Sequence, residues 1–312
     1  MTVPRVTPER CADIFAATKQ WGRWGDDDER GALNLLTPEL VRRAALLARR
    51  GRVVSCGRPL AVRPAADNPR PAEHFMVVAG DVAGAGGPNE LQSSGDFVGV
   101  AFHGMAVSHI DALCHVFVDK LMYNGFAASD VTSRGARRNS IAAAFDGITG
   151  RGVLLDIPRL RGVDWLEPDE VIAPDELTAA CAAEEVELSP GDVLLISTGR
   201  DARRAVHGPW DPNVAGLAGL DAECIPWLAA KDVAVLGSDG VSDPLPGNQH
   251  PWSMPVHMCL LVGMGVHLLD NLHLGRLATA CEEERRWEFL FTVSPLQIGG
   301  GTGSPINPIA VL

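Results

Sequence analysis

The chain lacks the features that mark several large protein classes. It has no run of about 18 or more apolar residues, so we expect no membrane-spanning helix. It has no long basic run to offset its formal net charge of -12, which argues against nucleic acid or an anionic membrane as a partner. Its first residues contain no uninterrupted apolar segment, so we predict no signal peptide.

Cysteine pairs at metal-binding spacing are also missing. The seven cysteines are odd in number and scattered, and none stands in a C-x-x-C pair. Such thiols fit a reducing compartment, so we expect a cytoplasmic protein without a zinc site closed by cysteines. Cys114 and Cys259 lie near histidines and could be proposed as nucleophiles. Nothing else marks an acyl-transfer site, and we interpret both as small apolar core residues.

A histidine-rich stretch, HGMAVSHIDALCH at residues 103–115, is the most informative part of the sequence. It contains His103, His109 and His115, three of the nine histidines, and Asp111. Imidazole nitrogen and carboxylate oxygen together suit a divalent ion such as zinc, manganese or iron. If the segment is extended, His109 and Asp111 point to the same side and can reach one ion. A lone H-x-D pair is usually structural, but the cluster favours a metal site.

The direction of His115 stays open at this point. It lies four residues beyond Asp111. If a helix begins near Asp111, the two side chains share a face, whereas a continuing loop would leave the direction of His115 undetermined.

Short apolar runs alternate with helical patterns along the rest of the chain. Thr37 and Pro38 predict a helix start, and residues 53–62 predict a strand. No internal repeat or linker is found, so we predict one domain over residues 1–312, with residues 1–52 as an N-terminal loop and helix extension. The alternation indicates an α/β or mixed α+β fold. The predicted buried strands are 153–155, 193–196 and 233–236, and the predicted helices are 174–184 and 221–231, the latter capped by Asp221.

The histidine-rich stretch resembles the signature of the cyclase family of metal-dependent hydrolases, which includes bacterial kynurenine formamidase, isatin hydrolase and some proteins named polyketide cyclases. Short members carry H-x-G-T-H-x-D-x-P-x-H, and the second half of that pattern is matched here by Ser108, His109, Asp111 and His115. Leu113 stands in place of the proline.

The first histidine of the signature is displaced in this chain. Met105 holds the place four residues before His109, and His103 lies six residues before it. Longer members of the family carry this form, so the resemblance implies that His103 takes the role of the first ligand through a two-residue lengthening.

The resemblance continues in the last third of the chain. The segment LGSDGVSD at residues 236–243 resembles the family pattern G-x-D-x-x-S-x-D, with Asp239 in register and Asp243 taken as the last aspartate, one position early. Asp239 could serve a pocket or second ion, or could bond turn amides, as aspartates at strand ends often do. His257 and Asp270 match a histidine and a glutamate that complete a two-metal site in kynurenine formamidases. Because aspartate is one methylene shorter, we expect one ion, with His257 in the pocket.

The resemblance implies a β-barrel-like or swivelling sheet core with outer helices, and a homodimer or homotetramer. It also implies hydrolysis of a small cyclic or acyl amide, with aromatic compounds among the candidate substrates. One divalent ion, zinc or manganese, would be held by His103, His109 and Asp111. Catalytic roles fall to His115, as the group that moves a proton, and to His257, which would hold the developing oxyanion or share proton transfer.

Several alternatives remain at the sequence level. Lactone opening uses the same attack at an ester carbonyl, and a polyketide cyclase-type enzyme would close a ring instead. A non-catalytic ligand-binding protein would keep the fold and bind without turnover. We predict an apolar pocket lined by Met105, Trp252 and Met254, and a loop over residues 81–95 as a candidate lid or an idle surface loop.

Overall fold

The computed structural model describes residues 6–81, 89, 91–248 and 250–312, and the elements below lie in those ranges. The strands, numbered along the chain, are β1 (Val53–Ser55), β2 (Glu73–Val78), β3 (Gly95–Gly99), β4 (His109–Asp111), β5 (Val131–Thr132), β6 (Gly135–Ala136), β7 (Ile148–Asp156), β8 (Val171–Ile172), β9 (Val193–Ser197), β10 (Gly219–Leu220), β11 (Val235–Ser238), β12 (His267–Asp270), β13 (Glu288–Val293), β14 (Gly303–Pro305) and β15 (Ile309–Val311). The α-helices are α1 (Pro8–Thr18), α2 (Pro38–Ala45), α3 (Ile157–Arg161), α4 (Pro174–Ala183), α5 (Arg200–His207), α6 (Pro212–Ala215), α7 (Cys224–Lys231), α8 (Pro255–His257) and α9 (Gly275–Glu284). A π-helix spans Met258–Met264, and 3₁₀ turns span Gly31–Leu35, Tyr123–Gly125, Ala128–Asp130 and Ile141–Ala144.

One curled sheet of half-barrel shape organises the described residues. Nine strands form it in the order β1-β15-β13-β7-β9-β11-β12-β4-β14. The central strands β7, β9, β11 and β12 run parallel and are joined by helical crossovers, as parallel strands require. The strands on either side of this group pair antiparallel. The mixed α/β fold confirms the predicted fold class.

Both faces of the central strands are covered, which explains their apolar sequences. In β7, Val153 and Leu155 pack in one core cluster and Leu154 packs in the other, because successive side chains point to opposite faces. Strands buried on both sides read as unbroken hydrophobic runs, so they stand out in the sequence. The strands predicted at 153–155 and 193–196 are confirmed within β7 and β9, and the one predicted at 233–236 is shifted to β11.

Other predicted boundaries moved for local reasons. The strand expected over residues 53–62 ends at Ser55, because the chain turns there and the Arg58 N–H donates to the Ser108 hydroxyl at 2.8 Å. The helix expected from residue 221 begins at Cys224, since the Asp221 carboxylate accepts from Glu223 N in the preceding turn. The helix start at Pro38 is confirmed, and the predicted 174–184 helix ends one residue early as α4.

The predicted loop over residues 81–95 lies largely outside the described residues, at 82–88 and 90. Its role as a lid therefore stays a prediction. Among the helices that are described, none combines the length and the apolar character needed to cross a membrane.

A buried carboxyl group, that of Glu184 after α4, makes stability depend on pH. Its Oε1 accepts from the backbone N–H of Asp156 at 2.8 Å, while Oε2 is buried without a hydrogen-bond partner among the described residues. Burial raises the pKa of Glu184 from 4.5 to about 8. Because the pKa is higher in the folded state, stability is greatest at low pH, where the carboxyl group is protonated in both states. Stability is lost as pH rises through about 8, because the buried group must then ionise.

We therefore expect Glu184→Gln to be more stable than the wild type at about pH 9, by on the order of 1–2 kcal/mol, and to differ little at about pH 5. Glutamine still accepts from the Asp156 N–H and is neutral at both pH values. Urea unfolding at the two pH values measures the difference, with Glu185→Gln, at an exposed neighbour, as the control. A stability gain of equal size at both pH values would contradict this account.

Candidate metal centre

Two neighbouring strands bring the candidate ligands together. In β4, His109 and Asp111 lie two residues apart and project from the same face of the sheet. The adjacent strand β12 runs antiparallel to it, with Asp270 opposite His109 and Leu268 opposite Asp111. Residues directly opposite each other share a face, so the backbone register places Asp270 beside the two β4 residues.

The first ligand group consists of His103, His109 and Asp111. His103 Nδ1 lies 3.0 Å from Asp111 Oδ1, and His109 Nε2 lies 3.3 Å from the same oxygen. These short distances are not accompanied by hydrogen-bond geometry: His103 Nδ1 and Asp111 Oδ1 are buried, and neither makes a hydrogen bond with any described residue. Buried polar atoms are rarely left unpaired, so a cation held between these atoms fits the site.

Both imidazole rings of this group are held at their far side. His109 Nδ1 donates to the Val107 carbonyl at 2.8 Å, so Nε2 is the ring nitrogen that faces Asp111 and could bind an ion. His103 Nε2 lies 3.0 Å from the Thr302 hydroxyl, so its Nδ1 faces Asp111. Metal-binding histidines are commonly oriented through the other ring nitrogen in this way.

A second group contains Asp111, His257 and Asp270. His257 Nε2 lies 3.6 Å from Asp111 Oδ2 and 3.3 Å from Asp270 Oδ2. His257 Nδ1 donates to Asp243 Oδ2 at 2.6 Å, and the buried Asp270 Oδ1 has no hydrogen-bond partner among the described residues. Each group could hold a metal ion, and the two share Asp111 through its different oxygens.

The histidines and aspartates of the site shift one another's pKa values. Burial alone would raise the pKa of Asp111, but the surrounding histidines hold it well below its ordinary value. Burial opposes the charged form of His257, yet Asp270 and Asp243 raise its pKa well above the ordinary value. For His109, Asp111 outweighs burial and raises the pKa to about 9. These carboxylates favour positive charge, which a divalent cation supplies when it displaces the protons.

His115 lies at the edge of the first group. The chain after β4 continues as a turn and not as a helix, yet the His115 ring stacks on His103 with 3.9 Å between centroids and 4° between planes. Its Nε2 is 3.9 Å from Asp111 Oδ1, and its side chain is 30% exposed. Burial lowers the pKa of His115 to about 4, so the ring is neutral near pH 7.

A cavity of about 220 Å³ opens beside His103. Phe102 and Met105 line it, and Met254 packs with Met105 on a small apolar cluster. Trp252 instead packs on Phe15 of α1, with ring centroids 5.5 Å apart, as part of the large core cluster. Of the three predicted pocket residues, the structure therefore places only Met105 in the lining of the cavity, while Met254 packs on the same small cluster as Met105 and Trp252 lies elsewhere.

The two aspartates of the 236–243 segment have different roles. The Asp239 carboxylate accepts from Thr198 N, from the Thr198 hydroxyl at 2.8 Å and from Arg200 N at 3.1 Å. The Asp239 carboxylate therefore binds backbone amides at the start of α5 and belongs to neither ligand group, so the structure does not bring Asp239 to the metal site. Asp243 contacts the His257 ring and also accepts from the backbone N–H groups of Val256 and His257.

Some residues of the site had no recognisable signal in the sequence. Thr302 contacts His103 from 199 positions away, and the buried side chains of Arg200 and Asn271 hold the loop between His103 and His109. Only Phe102, whose ring centroid is 4.6 Å from that of His103, could have been found from its place next to the motif.

The nearest cysteine is unsuited to nucleophilic attack. Cys114 is fully buried, and burial raises its pKa to about 12. The thiolate is the reactive form, so a thiol with this pKa is inert near neutral pH.

Comparisons with known proteins find similarity over most of the chain. The family model Cyclase, described as "Putative cyclase", matches residues 60–243. The crystal structure of a novel cyclase superposes with a TM-score of 0.85 at 31% identity, covering 96% of this chain and 99% of that one. No curated protein sequence matches the chain.

Isatin hydrolases share the fold at lower identity. Isatin hydrolase A from Labrenzia aggregata, bound to benzyl benzoate, has a TM-score of 0.61 and 19% identity, covering 87% of this chain and 98% of that one. An isatin hydrolase bound to the product analogue thioisatinate has a TM-score of 0.59 and 18% identity, covering 89% and 99% of the two chains. The family match over more than half of the sequence and the 31% identical structure show that the chain belongs to the cyclase family.

Proposed function

We propose that the chain is a metal-dependent hydrolase that opens a small cyclic or acyl amide, of the kind represented by isatin or N-formylkynurenine. The observation that carries the proposal is the convergence of His103, His109 and Asp111, with buried ligand atoms that lack hydrogen-bond partners. Membership of the cyclase family and the fold shared with isatin hydrolases support it.

The first group would hold the divalent ion, zinc or manganese. A divalent ion, when bound, lowers the pKa of water and polarises a carbonyl, so that amide hydrolysis needs no protein nucleophile. Asp111 and the two histidines would hold the ion beside the cavity lined by His103, Phe102 and Met105, where the substrate would bind. The second group would then be available for a further ion through His257 and Asp270.

His115 is the residue suited to proton movement. Its neutral ring can accept a proton from the attacking water and return it to the departing nitrogen. Stacking on His103 holds the ring next to the first group, and its 30% exposure leaves it open to a substrate. His257 is buried against Asp243, so its ring is fixed in orientation and would stabilise negative charge at the inner side of the site.

Purified protein tests the proposal when ion content and hydrolysis of isatin and N-formylkynurenine are measured together. We expect about one divalent ion per chain if only the first group is filled, and about two if the second is filled as well. His109→Ala should lose the ion and activity together. Product analysis should show one water added to the substrate. A wild-type protein that takes up no ion from zinc or manganese would rule the proposal out.

A further inference from the structure

The loop between His103 and His109 lacks the backbone bonding that usually fixes such segments. Residues 104–107 make no backbone–backbone hydrogen bond with any other described segment. Gly104 has a φ of 141°, a backbone conformation that residues other than glycine rarely adopt. Since His103 and His109 are both candidate ligands, something other than secondary structure must set the distance between them.

Asn271 supplies part of this support. Its side-chain Nδ2 donates to the Gly104 carbonyl at 2.7 Å and to the Val107 carbonyl at 3.3 Å. The Val107 carbonyl is the group that also accepts from His109 Nδ1. One amide therefore holds the carbonyl next to His103 and the carbonyl that orients the His109 ring.

The backbone of Asn271 ties the same loop to the second ligand group. Its carbonyl accepts from the Ser108 hydroxyl at 2.6 Å, and its N–H donates to Gly240 O at 2.7 Å. It directly follows Asp270, whose carboxylate contacts His257. The residue is completely buried. It thus joins the end of β12 to the segment that carries the other ligands.

Arg200 completes the support. Its guanidinium is buried and donates to the Met105 carbonyl at 2.5 Å, to Asn271 Oδ1 at 2.6 Å and to Asp239 O at 3.2 Å. The rigid planar group can reach all three oxygens at once, which the single ammonium group of lysine cannot do. Its bond to Asn271 Oδ1 also turns the Asn271 amide so that Nδ2 faces the loop.

We propose that Arg200 and Asn271 are positioning residues that set the geometry of His103 and His109 for the bound ion, an inference that rests on the proposed function. The pair holds three carbonyls of the loop, at residues 104, 105 and 107, through side chains that do not touch the ligand atoms. Ligand atoms must be held within about 0.5 Å for tight binding, and loss of supporting contacts typically weakens metal affinity about 10- to 100-fold.

Zinc affinity of the full-length protein, measured by competition with a chromophoric chelator, tests the inference. We expect Arg200→Lys and Asn271→Asp each to raise the Kd for zinc by about 10- to 100-fold. Asn271→Asp keeps the size of the side chain but replaces the donor by an oxygen that faces two carbonyls. The visible spectrum of the cobalt-substituted protein should change in both variants, since it reports the geometry of the ligands.

Arg161→Lys is the matched control. Arg161 also donates through several guanidinium nitrogens, to Glu170, Glu176 and the Val171 carbonyl, none of which belongs to the loop. We expect it to lower Tm without moving the Kd for zinc by more than about twofold, since none of its contacts supports a ligand. If Arg200→Lys does not fold, Asn271→Asp decides.

Two outcomes would overturn the inference and differ from each other. Variants that bind zinc as tightly as the wild type, with unchanged cobalt spectra, would show that the loop keeps its geometry without the two side chains. A wild type without affinity for zinc or cobalt would remove the proposed function together with the inference, and this result is seen before any substitution is made.

Discussion

Asp111→Asn is expected to abolish metal binding and to lower hydrolysis by at least about 10³-fold. Asp111 is the only residue common to both ligand groups among the described residues, since Oδ1 faces His103 and His109 while Oδ2 faces His257. Asparagine keeps the shape of the side chain but removes the negative charge and one of the two acceptor oxygens. Ion content by elemental analysis and turnover of isatin or N-formylkynurenine would be measured on the same preparation.

Asp270→Asn is the matched control for this substitution. It changes the same functional group in the neighbouring strand but leaves His103, His109 and Asp111 intact. We expect this variant to keep about one ion per chain, whereas Asp111→Asn keeps none. Full ion content in Asp111→Asn would show that the shared carboxylate is not a ligand, and the arrangement of the site would need another explanation.

The expectation of a single ion rests on Asp270 being one methylene shorter than the glutamate of kynurenine formamidases, and the number of ions stays a prediction. The structure adds that Asp270 does reach the second ligand group, because β12 pairs with β4 in a register that sets Asp270 opposite His109. Side-chain length can be read from a sequence. The distance between two strands whose paired residues lie at least 157 positions apart cannot, since it depends on the whole sheet.

Parts of the site with a local pattern could be predicted. His109 and Asp111 share a face because the strand period is two, and that follows from the sequence as soon as the segment is taken as extended. Three of the four central parallel strands, β7, β9 and β11, were also recognisable, since burial on both faces selects apolar residues throughout, whereas β12 was not predicted. The edge strands β1 and β14, of three residues each, carry too little pattern for their ends to be predicted.

Supporting residues could not be predicted, for a different reason. Thr302, Arg200 and Asn271 act through contacts across long sequence separations, and each is an ordinary polar residue in its local context. The assignment of Asp239 shows the converse. It lies in a segment that resembles a family pattern, yet its carboxylate is used by the amides of Thr198 and Arg200. A matching motif gives the residue type, and only the surrounding backbone gives its role.

His115→Phe is expected to lower kcat by about 10²- to 10⁴-fold while leaving the ion content unchanged. Phenylalanine can keep the parallel stack on His103, which has 3.9 Å between ring centroids in the wild type, so the ligand histidine should stay in place. What the substitution removes is the nitrogen that accepts and returns a proton. Steady-state kinetics and elemental analysis on the same preparation separate the two effects.

His115→Ala adds a sharper test, because free imidazole can occupy the space that the side chain leaves. Activity that rises with imidazole concentration in this variant, but not in His115→Phe, would indicate that the missing function is proton transfer. Loss of the ion in His115→Phe would contradict that role and make His115 a ligand of the first group, since its Nε2 lies only 3.9 Å from Asp111 Oδ1. In that case His103 and His115 would both be ligands of the ion. The proton acceptor would then be another of the groups that line the cavity.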